Sequence, residues 1–269
     1  MSVYIKENPL FLEQSLTSIL INQSLPPNEV VLVKDGLLSP ELDAVILDFQ
    51  EKYPECMKVI ELESNHGLGN ALNIGLQHCT YDIVARMDSD DICVGNRFEI
   101  QIDQFKMKPD LAVLGGWIAE FYESSSSLTS IKKLPNDIKK IKAMIKRRNP
   151  INHMTVMFRK SAVLAVGGYK HLPYLEDYYL WIRVVGRGFL VENLNEVLVY
   201  ARTGHDFYVR RSNFVYINGW FFLQREMRNM RLINNIDRIY NMISIVVFIY
   251  TPPKMKRIIY SRLLRNSNL

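Results

Sequence analysis

The chain is poor in cysteine and lacks a long hydrophobic run. Its 269 residues include only three cysteines, Cys56, Cys79 and Cys93. Their odd number and wide spacing argue against a disulfide framework and a zinc ribbon, so we expect a reducing compartment. The longest apolar run, residues 243–250, is far shorter than the ~20 residues that span a bilayer. We therefore expect no transmembrane helix, and residues 1–7 lack the apolar core of a signal peptide.

The charge is positive overall but unevenly distributed. Lys and Arg number 33 against 28 Asp and Glu, and the basic residues gather in the stretches 132–148, 202–231 and 254–265. Such clusters favour anionic partners, either nucleotide phosphates or a lipid surface. No basic stripe with interleaved aromatic residues and no base-reading motif accompanies them, so we expect no nucleic-acid partner. A hydrophobic content of 48% is enough for a globular core.

The most informative stretch is residues 83–91, where a short apolar run ends in three carboxylates. The residues that follow have the pattern of a helix, so the stretch predicts a strand, an acidic turn (residues 88–91) and a helix. Side chains alternate along an extended segment, and Asp88 and Asp90 therefore point the same way. Two carboxylates together with substrate phosphates suit Mg²⁺ or Mn²⁺. The alternative, that Asp90 or Asp91 only caps the following helix, remains open on this motif alone.

Strands alternate with helices through the first two thirds of the chain. This alternation predicts an α/β fold with a right-handed, doubly wound and mostly parallel sheet. A β-branched run over residues 29–33 precedes Asp35, which places this carboxylate at the same sheet edge as Asp88. A later strand is predicted over residues 152–158.

The last third of the sequence is aromatic and basic, with helical spacing on both sides of a break at residues 251–253. Between residues 254 and 265, apolar side chains form a stripe beside five basic ones. A helix of this kind can lie in a membrane interface, or it can pack on the rest of the protein with a solvated basic face. Both interpretations fit the sequence.

Several short motifs occur in a fixed order over residues 1–200. They are MSVYIKENP, QSLPPNEVVLVKDG, NHGLGNALNIGL, DIVARMDSDD with the later Arg97 and Gln101, NHMTVMFRKSAVLAVGGY, and LEDYYLWIRV. In this ordered set the chain resembles the family 2 glycosyltransferases, which have the nucleotide-diphospho-sugar transferase fold called GT-A. It looks most similar to the bacterial enzymes of O-antigen, capsule and exopolysaccharide assembly.

The resemblance implies a division of the chain. A GT-A catalytic domain would cover residues 1–205, with a nucleotide-sugar-binding half at 1–107 and an acceptor-binding half at 108–205. Residues 206–269 would form a basic, aromatic and helical C-terminal extension. Whether this extension touches a membrane stays open.

The resemblance also implies roles for the acidic candidates. Asp177 would be the general base that deprotonates the acceptor hydroxyl, and Glu176 would orient the acceptor or cap the helix. Without the acidic turn, favourable first-turn charge on a helix would explain this pair better. Asp90 would bind Mn²⁺ or Mg²⁺ directly, and Asp88 would hold the ribose or reach the metal through water. Asp35 would accept a hydrogen bond from the uracil ring.

The remaining candidates are mostly basic or polar. His205 would be a further metal ligand. The other contacts to the nucleotide sugar would come from Tyr4, Asn65, Arg86, Arg210 and Arg211. The basic candidates also have structural explanations, which are a salt bridge for Arg86 and solvated surface positions for the others.

As a whole, the resemblance implies an inverting, metal-dependent transferase that moves one hexose, galactose or glucose, from a UDP-sugar to a saccharide. The implied acceptor is a polyprenyl-diphosphate-linked N-acetylhexosamine. The enzyme would lie in the bacterial cytoplasm, peripheral at the cytoplasmic face of the inner membrane. The sequence has no Gln-x-x-Arg-Trp motif, the mark of processive synthases, which favours single addition.

Two rival functions are weighed against this one. A nucleotidyltransferase of sugar phosphates would need a glycine-rich basic loop after the first strand to hold a triphosphate, and residues 4–9 lack it. A catalytically silent nucleotide- or glycan-binding module would not need a general base. The joint presence of Asp35, Asp90 and Asp177 therefore favours an enzyme.

Overall fold

The computed structural model describes residues 1–122, 125, 127–203 and 214–251, apart from the side chains of residues 214 and 248–250. Its N-terminal strands are β1 (Ser2–Val3), β2 (Val30–Lys34) and β3 (Met57–Glu61). They alternate with the helices α1 (Pro9–Leu20), α2 (Pro40–Lys52) and α3 (Leu68–His78). The three strands form a parallel sheet with β2 in the middle.

A second, six-stranded sheet follows in the chain. Its strands are β4 (Ile83–Ala85), β5 (Ile92–Cys93), β6 (Leu111–Phe121), β7 (Leu128–Lys132), β8 (Met157–Arg159) and β9 (Leu190–Arg202). They lie in the order β4, β8, β6, β9, β5, and β7 pairs with β6. The long strands β6 and β9 are parallel, and among the described strands the antiparallel pairs are all in this sheet. The predicted α/β class is confirmed.

The remaining helices flank the second sheet or follow it. They are α4 (Arg97–Met107), α5 (Ile138–Met144), α6 (Lys160–Ala165), α7 (Glu176–Gly186), α8 (Phe214–Asn229) and α9 (Asn235–Tyr250). None of the helices in the described part of the chain is long and apolar enough to cross a membrane.

Local signals fix where the first two helices begin. Asn8 and Ser39 each precede a proline, and their side chains accept hydrogen bonds from the backbone N–H groups of Leu10 and Leu42. A capping side chain followed by proline at the first helical position is a strong start signal. The loops that follow β1 and β2 are therefore short, and they remain at the sheet edge where nucleotide-sugar contacts are predicted.

Two apolar clusters form the core. The first lies between the parallel sheet, α1, α2 and one side of β6, with Leu12, Leu32 and Leu114 among its fully buried members. The second surrounds α7, whose residues 178–185 are all buried, with Trp181 fully enclosed. Burial on all sides explains why α7 is mostly apolar after its first turn. Its one charged side chain there, Arg183, is buried and donates to the carbonyls of Tyr179 and Val166.

The C-terminal helices α8 and α9 contribute to the second cluster. Trp220, Leu223 and Met227 of α8 and Ile245 of α9 are buried in it. One face of each of these two helices therefore packs on the rest of the protein. The basic stripe predicted over residues 254–265 lies outside the described residues.

The strand predicted over residues 152–158 is wrong in its first half. Residues 153–155 form a 3₁₀ turn, and β8 begins at Met157. The carbonyl of Asn152 accepts hydrogen bonds from the backbone N–H of Thr155 over 3.0 Å and from its hydroxyl over 2.8 Å. Side-chain bonds of this kind offer the backbone an alternative to a sheet ladder.

Candidate active site

The acidic turn connects β4 to β5 and is held by two distant segments. The hydroxyl of Ser15 on α1 donates to the carbonyl of Asp88 over 2.8 Å. Arg202, at the end of β9, donates from Nε to the carbonyl of Asp90 over 3.1 Å. The backbone N–H of Arg202 also donates to the carboxylate of Asp91 over 2.8 Å. Bonds from both sides fix the backbone of the turn, so its carboxylates keep a defined orientation.

Asp91 is a structural member of this turn. Its side chain is buried, and it holds the end of β9 through the bond from Arg202. The next helix, α4, begins only at Arg97, with Asn96 before it and β5 in between. The alternative that Asp90 or Asp91 caps that helix is therefore wrong.

Arg86 approaches the turn from β4 and is buried. Its guanidinium forms an ion pair with the carboxylate of Asp88, so the salt-bridge explanation of this residue is realised. Its Nε and Nη1 atoms have no partner among the described residues, and Arg86 lines a cavity of about 30 Å³ together with Tyr169. A cavity of that size has room for one water molecule. Contact between Arg86 and the donor remains a prediction.

The described residues balance the negative charge of the turn only in part. Burial, together with the neighbouring carboxylates of Asp88 and Glu7, raises the pKa of Asp90 to about 7. Burial beside Asp90 also raises the pKa of Asp91 well above its ordinary value. A divalent cation would supply the missing charge, and carboxylate oxygens are the donors that Mg²⁺ and Mn²⁺ prefer. The turn therefore fits the predicted metal.

The turn alone does not complete a metal site. Within the described ranges, no group of three or more His, Cys, Asp or Glu side chains is arranged to hold a metal. Mg²⁺ and similar ions are commonly held by one or two carboxylates, with water and substrate phosphates in the other positions. A cation at Asp90 and Asp88 would have this kind of coordination.

Asp35 holds the loop that leads into α3. Its buried carboxylate accepts hydrogen bonds from the backbone N–H groups of His66 and Gly67 over 2.7 and 3.0 Å. Asn65 donates from its side chain to the Asp35 carbonyl over 3.3 Å and is exposed. Tyr4, after β1, is also exposed. Asp35 thus has a structural role in this loop, and each carboxylate oxygen keeps a lone pair that a nucleobase could use.

Glu176 and Asp177, here called the acidic pair, form the first turn of α7. One carboxylate oxygen of Asp177 accepts a hydrogen bond from the side chain of Asn149 over 2.6 Å, and the other accepts from the backbone N–H of Tyr178 over 2.6 Å. Burial, followed by repulsion from Asp177, raises the pKa of Glu176 to about 7. Glu176 can therefore hold a proton near neutral pH, as a hydrogen-bond donor in a site requires.

The acidic pair is in contact with α3, the helix that follows the loop held by Asp35. A Cβ placed on Gly69 of α3 would lie 3.3 Å from the Cβ of Glu176 and 3.2 Å from the carbonyl oxygen of Lys170. Only glycine permits this close approach without a shift of the neighbours. The helix that follows the loop held by Asp35 therefore packs directly beside the acidic pair.

A buried phenol is electrostatically coupled to both the acidic turn and the acidic pair. The hydroxyl of Tyr169 is hydrogen-bonded to Nε2 of His153 over 2.9 Å. Burial raises the pKa of Tyr169; Arg86 opposes this effect, and the charges of Asp177, Asp88 and Glu176 add to it. Both acidic groups are thus within electrostatic range of one side chain. Tyr169 also lines a small cavity with Arg86, the ion-pair partner of Asp88. That the predicted metal residues and the predicted base share one site remains a prediction.

Three predicted site residues fall outside the described part of the chain, and three residues at the site were not predicted. His205, Arg210 and Arg211 lie outside the described residues. The sequence reasoning did not anticipate the site positions of Arg202, Asn149 and Tyr169. Arg202 stands in the same short stretch as His205, and an asparagine before proline, such as Asn149, marks only a turn. Their partners lie far away in the chain, so no local pattern could have found these contacts.

The structure is similar to solved glycosyltransferases. One is TarS from S. aureus in complex with UDP-GlcNAc, with a TM-score of 0.65 and 18% identity over 91% of this chain and 71% of that one. Another is the mannosyltransferase PcManGT from Pyrobaculum calidifontis in complex with GDP-Man and Mn²⁺, with a TM-score of 0.63 and 13% identity over 91% and 72% of the two chains. The fold is that of the GT-A glycosyltransferases.

The family is shown by sequence. The family model described as glycosyl transferase family 2 matches residues 1–164. The amylovoran biosynthesis glycosyltransferase AmsE of Erwinia amylovora is 41% identical over 231 residues, which are 86% of this chain and 83% of that protein. The UDP-Gal:alpha-D-GlcNAc-diphosphoundecaprenol beta-1,3-galactosyltransferase of Escherichia coli is 36% identical over 265 residues, 98% and 95% of the two chains. The chain belongs to glycosyl transferase family 2 and is a glycosyltransferase, as its motifs predicted.

Proposed function

We propose that the protein is an inverting, metal-dependent hexosyltransferase that uses a UDP-sugar donor and a lipid-linked saccharide acceptor. The observation that supports this proposal is that Tyr169 lines a cavity with Arg86, the ion-pair partner of Asp88, and is electrostatically coupled to the acidic pair as well. One side of such a site suits a cation and a diphosphate, and the other suits proton removal from a hydroxyl. A silent binding module would need only the first side.

On the donor side, Asp90 and Asp88 would hold Mn²⁺ or Mg²⁺ together with oxygens of the diphosphate. When bound, the cation would neutralise charge on the diphosphate leaving group. Arg202 would keep Asp90 in place through its bond to the Asp90 carbonyl. The uridine and the diphosphate would be contacted by Tyr4, Asp35, Asn65, Arg86, Arg210 and Arg211, with His205 as a further metal ligand.

On the acceptor side, Asp177 acts as the general base. The acceptor hydroxyl oxygen attacks the anomeric carbon, the bond from that carbon to the diphosphate oxygen breaks, and the hydroxyl proton passes to the Asp177 carboxylate. Attack opposite the leaving group inverts the anomeric configuration. The bond from Asn149 fixes the position of this carboxylate. Glu176, with a pKa of about 7, can donate a hydrogen bond to the acceptor while it is protonated.

The substrates follow from the named relative. Because this chain is 36% identical to the galactosyltransferase of E. coli over nearly its whole length, we assign galactose as the preferred sugar, glucose as the second choice, and lipid-diphosphate-linked N-acetylglucosamine as the acceptor. Residues 1–107 would bind the donor and 108–205 the acceptor, with 206–269 as an extension. With a lipid-linked acceptor, the reaction would take place at the cytoplasmic face of the inner membrane.

The test is UDP release by the purified protein. UDP-galactose, UDP-glucose and their N-acetylamino forms are compared, with Mn²⁺ or EDTA, and with or without a lipid-diphosphate N-acetylglucosamine. We expect release from one donor that depends on both the acceptor and the metal. Release that EDTA leaves unchanged would overturn the metal dependence, and an α-linked product from an α-linked donor would overturn inversion.

The role of Asp177 is tested by Asp177→Asn. This substitution keeps the size of the side chain and removes the base, so turnover should fall by at least about a thousandfold, in the range of general-base removal. Calorimetric affinity for the UDP-sugar should stay within about twofold of wild type. Near-normal turnover would show that another group takes the proton. Donor binding without turnover in the wild type, with every acceptor, would favour a silent binding module.

A further inference from the structure

Helix α9 exposes a continuous apolar stripe. Six large apolar side chains of this helix are between 42% and 77% exposed: Ile236, Ile239, Tyr240, Ile243, Val246 and Val247. At 3.6 residues per turn they fall within an arc of roughly 120° on one side of the helix. The two charged residues of the described part of the helix, Asp237 and Arg238, lie outside this arc. Isolated exposed apolar residues are ordinary, but a continuous stripe marks an interaction surface.

The helix cannot rotate to bury this stripe. Its opposite face carries Asn241 and Ile245, which are buried against the rest of the protein. The Asn241 amide donates to the side chain of Gln224 and to the carbonyl of Lys146, each over 2.7 Å, and accepts from Arg147 over 2.7 Å. Breaking such buried polar bonds would leave unsatisfied groups. The stripe is therefore held outward by the core-facing side of the same helix.

The adjoining sequence indicates what covers the stripe. Residues 252–269, which follow α9 directly, contain no Asp or Glu, and their basic residues are Lys254, Lys256, Arg257, Arg262 and Arg265. A second copy of the chain would carry the same basic segment, with no acidic residue in it to balance the charge. An anionic bilayer meets both features, because apolar side chains enter its interface while basic residues meet its headgroups.

We propose that the α9 stripe is a docking surface for an anionic lipid bilayer. Its position suits the proposed function. Arg147 contacts Asp237 and Asn241 of α9, and Asn149, two residues further on, contacts Asp177. The docking helix is thus joined by one short segment to the acidic pair that would receive a lipid-linked acceptor. The membrane contact itself does not require that the protein be a transferase.

The experiment is co-sedimentation of the full chain with vesicles, without any sugar nucleotide. Vesicles of phosphatidylcholine alone are compared with vesicles that also contain phosphatidylglycerol. The double variant Ile239→Glu/Ile243→Glu places two charges in the stripe. Its control is Leu47→Glu/Leu164→Glu, which places two charges at exposed positions on α2 and α6. All four sites are exposed, so the variants should keep the unfolding midpoint of the wild type.

We expect the wild type and the control to bind the anionic vesicles, and the stripe variant to bind at least tenfold less. Phosphatidylcholine vesicles should bind the wild type weakly. Equal binding of the stripe variant and the wild type, or no binding by the wild type, would overturn the proposal. So would a wild-type dimer that becomes a monomer in the stripe variant without any vesicle binding, because the occupant would then be a second copy. Turnover with a water-soluble acceptor tests the transferase separately.

Discussion

Replacing Glu176 by Gln should stabilise the protein at alkaline pH but not at acid pH. Burial, followed by repulsion from Asp177, raises the pKa of this carboxyl from 4.5 to about 7. The folded state therefore favours the protonated form over the charged one. The stability that this group contributes is fully present below pH 4.5 and is lost as the pH rises through about 7. A rise of about 2.5 in pKa corresponds to about 3 kcal/mol.

The Glu176→Gln variant keeps the shape of the side chain and removes its titration. At roughly pH 8.5 it should be more stable than the wild type by up to about 3 kcal/mol, whereas at roughly pH 4 the two should be equal. For a chain of this size the gain corresponds to a rise in Tm of about 6–12 °C. Denaturation followed by intrinsic fluorescence at both pH values measures it.

The matched control is Glu63→Gln, which removes a carboxyl from an exposed position. It should change the free energy of unfolding by less than about 0.5 kcal/mol at either pH. A Glu176→Gln variant with the same stability difference at both pH values would refute the reasoning, because an effect that does not depend on pH cannot come from the titration of this group.

Two further predictions concern residues that position the site. Asn149→Ala removes the 2.6 Å hydrogen bond to Asp177. Turnover should fall by roughly 10–100-fold, which corresponds to the loss of a hydrogen bond to a charged group, and the donor KM should stay unchanged. A changed donor KM with normal turnover would contradict this role. Arg202→Gln removes the side-chain bond to the Asp90 carbonyl but keeps the backbone bond to Asp91. The Mn²⁺ concentration that gives half-maximal activity should rise by about tenfold or more, whereas exposed Arg231→Gln should leave it unchanged.

The local features of the site could be read from the sequence. An apolar run followed by Asp88 and Asp90 predicts a strand that ends in an acidic turn, and the structure has β4 and then this turn. Glu176 and Asp177 were expected in the first turn of a helix, and α7 begins at Glu176. Both depend on neighbours within a few residues, which a sequence pattern records.

The contacts that assemble the site could not be predicted. Arg202 meets the acidic turn from more than a hundred positions away, and Asn149 meets Asp177 across 28 positions. Such contacts depend on strand order, and the pairing of β9 with β5 follows no local signal. The exposed stripe on α9 could not be predicted either. When a helix has apolar residues on two faces, its sequence does not show which face packs against the core.

The two acidic centres give this site a common physical character. Asp90 and Glu176 each have a pKa near 7 because each is partly enclosed beside another carboxylate. Arg86 compensates only in part, since its ion pair is with Asp88. Among the described residues, carboxylates of both the acidic turn and the acidic pair therefore act on Tyr169. A cation at the acidic turn and a hydroxyl proton at the acidic pair would each reduce the repulsion between neighbouring carboxylates, which favours the two ligands that the proposed reaction requires.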